Sequence, residues 1–194
     1  YYTPYKGNLI ALYDGSSSWS GITFSELSLD ISSCTASKPY DIFIYNNSGT
    51  ATMEMLVWTD DTTRATALAT QNGIYVKTGA TTRRYVGTFY CNSSGGQTDD
   101  TLAKRWLFNY YNNVSRPMRV LETTDSWTYS TATWRQANGS TANQLDVVVG
   151  VAEVTTFVTV SVMAHNGDAN SSRSVSVGYD STTNQNSASA FIAY

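Results

Sequence analysis

Apolar residues alternate with small polar ones along much of this chain, and the alternation is clearest in its last third. Val147, Val149 and Val151 are separated by single residues, and the same spacing of valines recurs at 158–162 and 175–177. Because successive side chains of a strand point to opposite faces, a period of two predicts strands with one buried face. Thr, Ser and Gly fill much of the space between the valines. The pattern predicts a rigid β-scaffold with polar surfaces.

Further strands are predicted where alternating, β-branched or aromatic residues lie between turn signals. These segments are 9–13, 27–31, 40–45, 53–57, 74–76, 84–91 and 104–111. Asn72-Gly73 directly precedes one of them, and Asn-Gly is the strongest short hairpin signal. Residues 98–111 also show helical spacing, but their aromatic density favours a strand, with one helical turn before it. We allow at most a turn or two of helix elsewhere, near 62–68. The predicted fold class is an all-β, antiparallel β-sandwich of jelly-roll-like form.

A polar stretch divides the chain into two β-regions. Residues 112–117 follow an aromatic strand and include one of only three prolines. We therefore expect an N-terminal β-region at 1–113 and a C-terminal β-sandwich region at 114–194, packed on each other as two β-regions. The chain opens without an initiator Met and closes on a strand-like segment, so we expect residues to be missing at both ends.

Charge and hydropathy limit the partners. Only 14% of the residues are charged and the formal net charge is −3, whereas an average soluble domain has about 25% charged residues. Nucleic-acid affinity comes largely from clustered Lys and Arg. Arg83 and Arg84 are adjacent, but neighbours on a strand point to opposite faces and form no patch. No apolar run approaches the roughly 20 residues of a membrane span. We expect neither a nucleic-acid nor a membrane partner.

No catalytic motif accompanies the scaffold. The single histidine, His165, precedes Asn166-Gly167 and is expected in an exposed hairpin tip. A Gly-x-Ser-x-Gly elbow and a Gly-rich phosphate loop are absent from the sequence. We therefore expect a protein that is not an enzyme and needs no cofactor.

Two pairs of adjacent carboxylates are the remaining candidates for chemistry. Asp60-Asp61 and Asp99-Asp100 lie at strand ends beside Thr, where Asp commonly forms Asx turns. A structural role is therefore the favoured interpretation of both pairs. The functional alternative is a calcium site at Asp60 and Asp61, because carboxylate, hydroxyl and carbonyl oxygens are the ligands of that ion.

Aromatic side chains are the best candidates for recognition. The chain has 5 Trp and 14 Tyr, although most aromatics of a β-sandwich belong to its core or to cross-strand pairs. Trp19 lies in Gly-Ser-Ser-Ser-Trp-Ser-Gly, which has the composition of a loop. We therefore expect Trp19 to be exposed and name it the candidate glycan-binding residue.

Cys34 and Cys91 are the only cysteines. They could form one disulfide in an oxidising setting or stay as two small buried apolar residues. Their spacing does not decide between the two, and we slightly favour free thiols. Five asparagines also begin Asn-x-Ser/Thr sequons, which would carry glycans only in a host with the required machinery. They are Asn46, Asn92, Asn113, Asn138 and Asn170.

Nine segments, in consistent order along most of the chain, carry a resemblance to a known group of proteins. They are Tyr2–Asn8, Leu12–Gly15, Phe24–Ser28, Pro39–Phe43, Trp58–Arg64, Gly73–Lys77, Thr82–Phe89, Phe108–Asn112 and Ser126–Tyr129. Together they resemble a widespread group of phage-encoded virion proteins that occur near head and tail-fibre genes. The resemblance implies an exposed β-rich module of a particle surface. It carries over no catalytic residue.

We therefore expect a structural component of a phage virion surface: a head decoration, head fibre or tail fibre module. We expect an extracellular homotrimer that contacts other virion proteins and contributes to adhesion to a host glycan. One alternative is a subunit of a cellular filament or adhesin, which the Thr-rich, Lys-poor composition also fits. A second is a glycan-degrading depolymerase module, which needs two facing carboxylates about 5 to 9.5 Å apart.

Overall fold

The computed structural model describes residues 1–128, 131, 133–151, 173–178, 181–184 and 190–192. It confirms the predicted all-β class, because these residues form a six-stranded sheet and three two-stranded sheets, without an α-helix. The chain divides into two compact units. The first comprises Tyr1–Met118 and Asp146–Ala152, and the second comprises Arg119–Leu145 and Glu153–Tyr194. The chain thus leaves the first unit close to 112–117, and its return to that unit at Asp146 was not predicted.

The strands of the first unit are numbered β1 to β10 along the chain. They are β1 Leu9–Tyr13, β2 Trp19–Thr23, β3 Lys38–Asn47, β4 Thr50–Val57, β5 Leu68–Gln71, β6 Ile74–Lys77, β7 Ala80–Cys91, β8 Lys104–Arg105, β9 Leu107–Asn109 and β10 Asp146–Val147. The described part of the second unit contains a short 3₁₀ turn, Ala137–Gly139, and the strands β11 Arg173–Val175 and β12 Ala190–Ile192.

The six-stranded sheet is antiparallel and has the order β4-β3-β7-β6-β5, with β9 paired to the second half of β7. Strands β1 and β2 form a separate antiparallel hairpin, β11 pairs with β12, and β8 pairs in parallel with β10. The predicted hairpin at Asn72-Gly73 is confirmed between β5 and β6. Its two residues have φ values of 53° and 79°, which a tight hairpin turn requires.

One face of the large sheet is apolar and carries the core. Alternate residues of β3, among them Ile42 and Ile44, point to this face and meet the β1–β2 hairpin through Ile10, Leu12 and Ile22. The core continues along the same face to a second group that contains Tyr40, Phe89 and both cysteines. The alternation of the sequence thus places the hairpin over the sheet as a second β-layer.

Cys34 and Cys91 form a disulfide with a Cα–Cα distance of 6.2 Å, so the preference for free thiols was wrong. The bond joins the irregular segment after Leu27 to the end of β7. Disulfides persist in secreted proteins and at virion and cell surfaces. The spacing of 57 residues carries no information on whether the two thiols meet.

The strand predicted at 27–31 does not form. Leu27 makes a single bridge to Tyr2, and the chain then turns, because Asp30 Oδ1 accepts the Ser32 N–H at 2.8 Å. The helical turn allowed at 62–68 does not form either. The segment contains bends and an isolated bridge of Arg64 to Trp58, directly after β4, and Leu68 begins β5.

The strands predicted from the later alternation are shorter in the structure. Residues 104–111 contain β8 and β9, separated by Trp106, and of 147–151 only Val147 pairs within a strand. Val175 lies in β11 as predicted. The valines at 158–162, the Asn166-Gly167 turn and His165 lie outside the described residues.

Candidate functional site

The face of the sheet opposite the apolar core holds a buried ion pair. Asp41 is 1% exposed, and it accepts hydrogen bonds from Arg64 Nε at 2.6 Å and Arg64 Nη2 at 3.2 Å. The Thr88 hydroxyl donates to the same carboxylate at 2.8 Å and lies 2.7 Å from Tyr85 Oη. Burial raises the pKa of Asp41, although Arg64 and Thr88 oppose this rise by stabilising the carboxylate. We call these four residues the Asp41 cluster.

The Asp41 cluster is closed by the segment that returns at Asp146. Arg64 Nη2 donates to the carbonyl oxygen of Gly150, and its guanidinium lies 4.2 Å from the centre of the Trp58 ring. A Cβ atom at Gly150 would lie 2.0 Å from Tyr85 Oη and 2.2 Å from Thr88 Oγ1. Because the backbone approaches so closely, the cluster leaves no room for a substrate. Its role is to hold residues 146–151 on the sheet.

The calcium candidates Asp60 and Asp61 have different partners. Asp60 Oδ1 accepts the backbone N–H groups of Thr62 at 2.9 Å and Thr63 at 2.8 Å, which is an Asx turn. These bonds, led by the one from Thr62, lower the pKa of Asp60. Asp61 lies near Tyr90, whose pKa is raised by burial and by the charge of Asp61. Among the described residues, no three His, Cys, Asp or Glu side chains group as metal ligands would.

Asp99 and Asp100 are engaged in separate ion pairs. Asp99 accepts from Asn92 at 3.1 Å and from Lys104 at 3.1 Å, and these contacts lower its pKa. Asp100 binds Arg105 at 3.0 Å and Arg116 at 2.6 Å. Partial burial opposes ionisation of Asp100, but the two arginines outweigh it and lower its pKa. Both carboxylates therefore support the loop before β8.

A pocket of about 380 Å³ opens between the β1–β2 hairpin and the large sheet, and we call it the hairpin pocket. The hairpin lines the pocket with Leu12, Tyr13, Asp14, Ser20 and Ile22, of which Leu12, Tyr13 and Ile22 are buried. Leu12 pairs with Ser20, and Ile22 lies two residues further along β2. These three therefore share the inner face of the hairpin.

The large sheet supplies the other wall of the hairpin pocket through Asn46, Thr82 and Arg83. Asn46 and Thr82 lie near the end of β3 and the start of β7, on the face that carries the apolar core. The guanidinium of Arg83 belongs to the opposite face, where Cζ lies 4.4 Å from the centre of the Tyr45 ring. Arg83 Nε is also 3.4 Å from Glu54 Oε1. Arg83 Nη1 nevertheless donates to the Thr82 hydroxyl at 3.0 Å, so part of the guanidinium reaches the rim of the pocket.

Asp14 organises the loop that borders the hairpin pocket. Its Oδ1 accepts the backbone N–H groups of Ser16, Ser17 and Ser18 at 2.7, 2.8 and 3.1 Å, and its Oδ2 accepts the Ser18 hydroxyl at 2.8 Å. These bonds, that from the Ser16 N–H first, hold the pKa of Asp14 well below its usual range. The loop therefore carries a fixed negative charge at neutral pH.

Trp19 lies beside the hairpin pocket, but in a different setting from the one predicted. It is the first residue of β2 rather than a loop residue, and it is half-buried rather than exposed. Its indole Nε1 donates to Asn72 Oδ1 at 3.1 Å, and its ring centre lies 5.5 Å from that of Tyr13. Trp19 therefore packs on Tyr13, on the face of the hairpin opposite Leu12 and Ser20.

Within the described ranges, no helix is long and apolar enough to cross a membrane. Comparisons with protein-family models, curated proteins and solved structures found no match.

Proposed function

We propose that the chain is a non-enzymatic structural component of a phage virion surface, as a head decoration, head fibre or tail fibre module. In this proposal it contributes to adhesion to a host glycan through the hairpin pocket. The pocket is the observation that carries the adhesive role, because hydroxyl and amide groups of Ser20, Asn46 and Thr82 line it together with Asp14. Concave sites of about 300–1,000 Å³ with a few placed polar groups are typical ligand sites.

The Cys34–Cys91 disulfide and the antiparallel sheets support the extracellular, structural part of the proposal. Disulfides are typical of proteins that persist outside the reducing cytosol. The bond fixes the segment before β3 to the end of β7, so it cross-links the scaffold at the end of β7 remote from the pocket residue Thr82. A rigid scaffold that presents a pocket near its hairpin loops is well suited to surface display.

The partners of the carboxylates support a non-enzymatic role. A glycosidase needs one carboxylic acid whose pKa is raised so that it can donate a proton. Interactions with neighbouring groups instead lower the pKa of Asp60, Asp99 and Asp100. Burial raises the pKa of Asp41, but the carboxylate of Asp41 is hydrogen-bonded to Arg64 and is not accessible to a substrate.

The edge of the large sheet supports the proposed homotrimer and its contacts with other virion proteins. Strand β4 lies at this edge and pairs only with β3 within the described part of the chain. Its eight residues, Thr50–Val57, contain neither Lys nor Pro, two residues with which proteins commonly protect an exposed edge. Such an edge is suited to pairing or to burial in an assembly.

Labelling of purified particles tests the structural part of this proposal. An antibody against the chain should label the surface of intact phage particles in electron micrographs. Absence of the chain from purified particles, or labelling of cellular filaments instead, would overturn the virion assignment.

Adsorption measurements test the adhesive part. The purified chain, added in excess to host cells, should slow particle adsorption, because it occupies the same glycan. Unchanged adsorption would overturn the adhesive role. Release of new reducing ends from host polysaccharide by the purified chain would overturn the non-enzymatic assignment.

A further inference from the structure

We infer that the peptide bond between Arg119 and Val120 is a processing site for proteases that cleave after a basic residue. Cleavage adds water across this bond and leaves a carboxylate on Arg119 and an amino group on Val120. Processing at this bond goes beyond the proposed function and does not depend on the hairpin pocket. The backbone around the bond, the side chain of Arg119 and the seating of residues 146–151 support it.

The backbone of residues 112–124 is accessible to a protease. The segment contains no helix, strand, turn or bend, and its residues 112–117, 119 and 121 are exposed. Between Asn113 and Thr123, no backbone N–H group donates a hydrogen bond to a described residue, whereas the N–H groups just outside this stretch do. Unpaired segments of this kind can bind a partner through their backbone, as in β-strand addition. Exposed segments without such protection are preferred sites of proteolytic nicking.

Arg119 is the basic residue that this segment leaves free. Its guanidinium makes no hydrogen bond, ion pair or ring contact to the described part of the chain. Every other Lys or Arg whose side chain is described makes at least one such contact. Trypsin-like proteases hold a basic side chain in a pocket with a carboxylate at its base, and the side chain of Arg119 can enter such a pocket without breaking a contact.

Arg116 lies in the same segment but is a poor site of cleavage. Its Nη2 binds Asp100 Oδ2 at 2.6 Å, so entry into a protease pocket would break an ion pair. Pro117 follows it directly, and a proline ring fixes φ and removes the backbone N–H that other residues offer on that side of the bond. The segment therefore presents one cleavable basic residue, Arg119.

The other basic residues are protected by the structure around them. Arg135 is exposed, but its guanidinium donates to the Thr131 hydroxyl at 3.2 Å, and it lies just before the 3₁₀ turn. Six more lie in paired strands, which must open before a protease can bind them. They are Lys38, Lys77, Arg83, Arg84, Lys104 and Arg105. We therefore expect the bond after Arg119 to be cut before the bonds after these residues.

The two fragments should stay together after cleavage. Residues 146–151 belong to the downstream fragment, and Arg64 of the upstream fragment donates to the carbonyl oxygen of Gly150. The Asp146 N–H also donates to the carbonyl oxygen of Ala103 at 2.9 Å. Because these contacts do not involve the cut bond, they continue to hold the downstream fragment on the sheet.

Brief digestion of the whole folded chain with trypsin, followed by mass spectrometry, tests the accessibility of the bond. The first pair of large fragments should contain 119 and 75 residues, and the two should co-elute in size-exclusion chromatography until urea is added. Arg119→Gln should lose this pair, whereas the matched control Arg135→Gln should keep it. Circular dichroism shows that both variants are folded. A first pair from a cut after Arg135 or after a strand residue would overturn the inference, as would fragments that separate without urea.

The natural chain shows whether the site is used. An antibody against the first unit should recover, from the natural source, a fragment that ends at Arg119 together with one that begins at Val120. Recovery of the uncleaved chain alone would overturn the processing site, even where trypsin cuts the purified protein at this bond. Either result is independent of whether the chain lies on phage particles, so this inference and the proposed function fail separately.

Discussion

Replacing Gly150 by alanine would place a methyl group where the first unit has no room. The added Cβ would lie 2.0 Å from Tyr85 Oη and 2.2 Å from Thr88 Oγ1, and both residues are 0% exposed. Overpacking of this kind costs about 1–3 kcal/mol. Moving the segment outward would also break the hydrogen bond from Arg64 to the Gly150 carbonyl, and a bond to a charged group contributes about 1.5–3 kcal/mol. We therefore expect Gly150→Ala to lower the free energy of unfolding by about 3 kcal/mol or more.

Urea denaturation measures this loss, followed by circular dichroism and by tryptophan fluorescence. Coincident transitions from the two probes justify a two-state free energy. Gly21→Ala is the matched control, because the three atoms nearest to its added Cβ all belong to the side chain of Leu9, at 2.8 to 3.0 Å. Leu9 is exposed and can rotate away, so the control should stay within about 0.5 kcal/mol of the natural protein.

The Tyr85→Phe background separates a local clash from a general effect of alanine. It removes the hydroxyl nearest to the new methyl group, so Gly150→Ala should cost less in that background, by about 0.5 kcal/mol or more. If the free energy of unfolding of the single Gly150→Ala variant lies within about 0.5 kcal/mol of that of the natural protein, residues 146–151 do not pack closely on the sheet.

Asp41→Asn should lower the free energy of unfolding by about 3 kcal/mol, because Arg64 keeps a largely buried charge without its counter-ion; urea denaturation measures the change. Reduction of the Cys34–Cys91 disulfide should lower it by about 4 kcal/mol, the chain-entropy value for a closed loop of this length; urea midpoints with and without reductant measure it. The free energy of unfolding should fall as the pH falls below about 4. The pKa of Asp14 is lower in the folded than in the unfolded chain, so the unfolded chain takes up the proton first and is favoured. Asp14→Asn should lessen that loss, measured as the change in urea midpoint between about pH 5 and pH 2.

Each of these predictions has its own control. The double variant Asp41→Asn/Arg64→Met should be less destabilised than the sum of its single variants, and strict additivity would contradict a buried ion pair. Thiol reagents should label the cysteines only after reduction, so labelling of the untreated native protein would contradict the disulfide. An acid response that Asp14→Asn leaves unchanged would contradict the role of Asp14.

Local sequence signals predicted the long strands of the first unit. Residues 40–45, 53–57 and 84–91 lie within β3, β4 and β7, because their side chains alternate as a half-buried sheet requires. The same alternation at 27–31 gave a wrong prediction. There Asp30 caps a turn, and the disulfide at Cys34 holds the segment to β7, so local capping and a distant covalent partner outweighed the strand pattern.

The candidate site could be predicted only in part. The aromatic signal of Trp19 directed attention to the β1–β2 hairpin, where its hydrogen bond to Asn72 leaves it half-buried. Asn46 and Thr82 were missed as pocket residues, because the fold brings the end of β3 and the start of β7 to the hairpin. The sequon at Asn46 carries no information on this contact. Gly150 was missed for the same reason, since its partner Arg64 is 86 residues away.

Because the first unit includes the segment that begins at Asp146, this unit is complete only after that late segment has been synthesised. Roughly 40 residues separate the end of β9 from Gly150, and at about 5–20 residues per second a ribosome needs roughly 2–8 s to add them. Throughout that interval the nascent sheet presents Asp41 and Arg64 without the backbone that covers them. A product that terminates early, before Gly150, keeps this polar face uncovered, and chaperones and proteases can distinguish it from the finished protein.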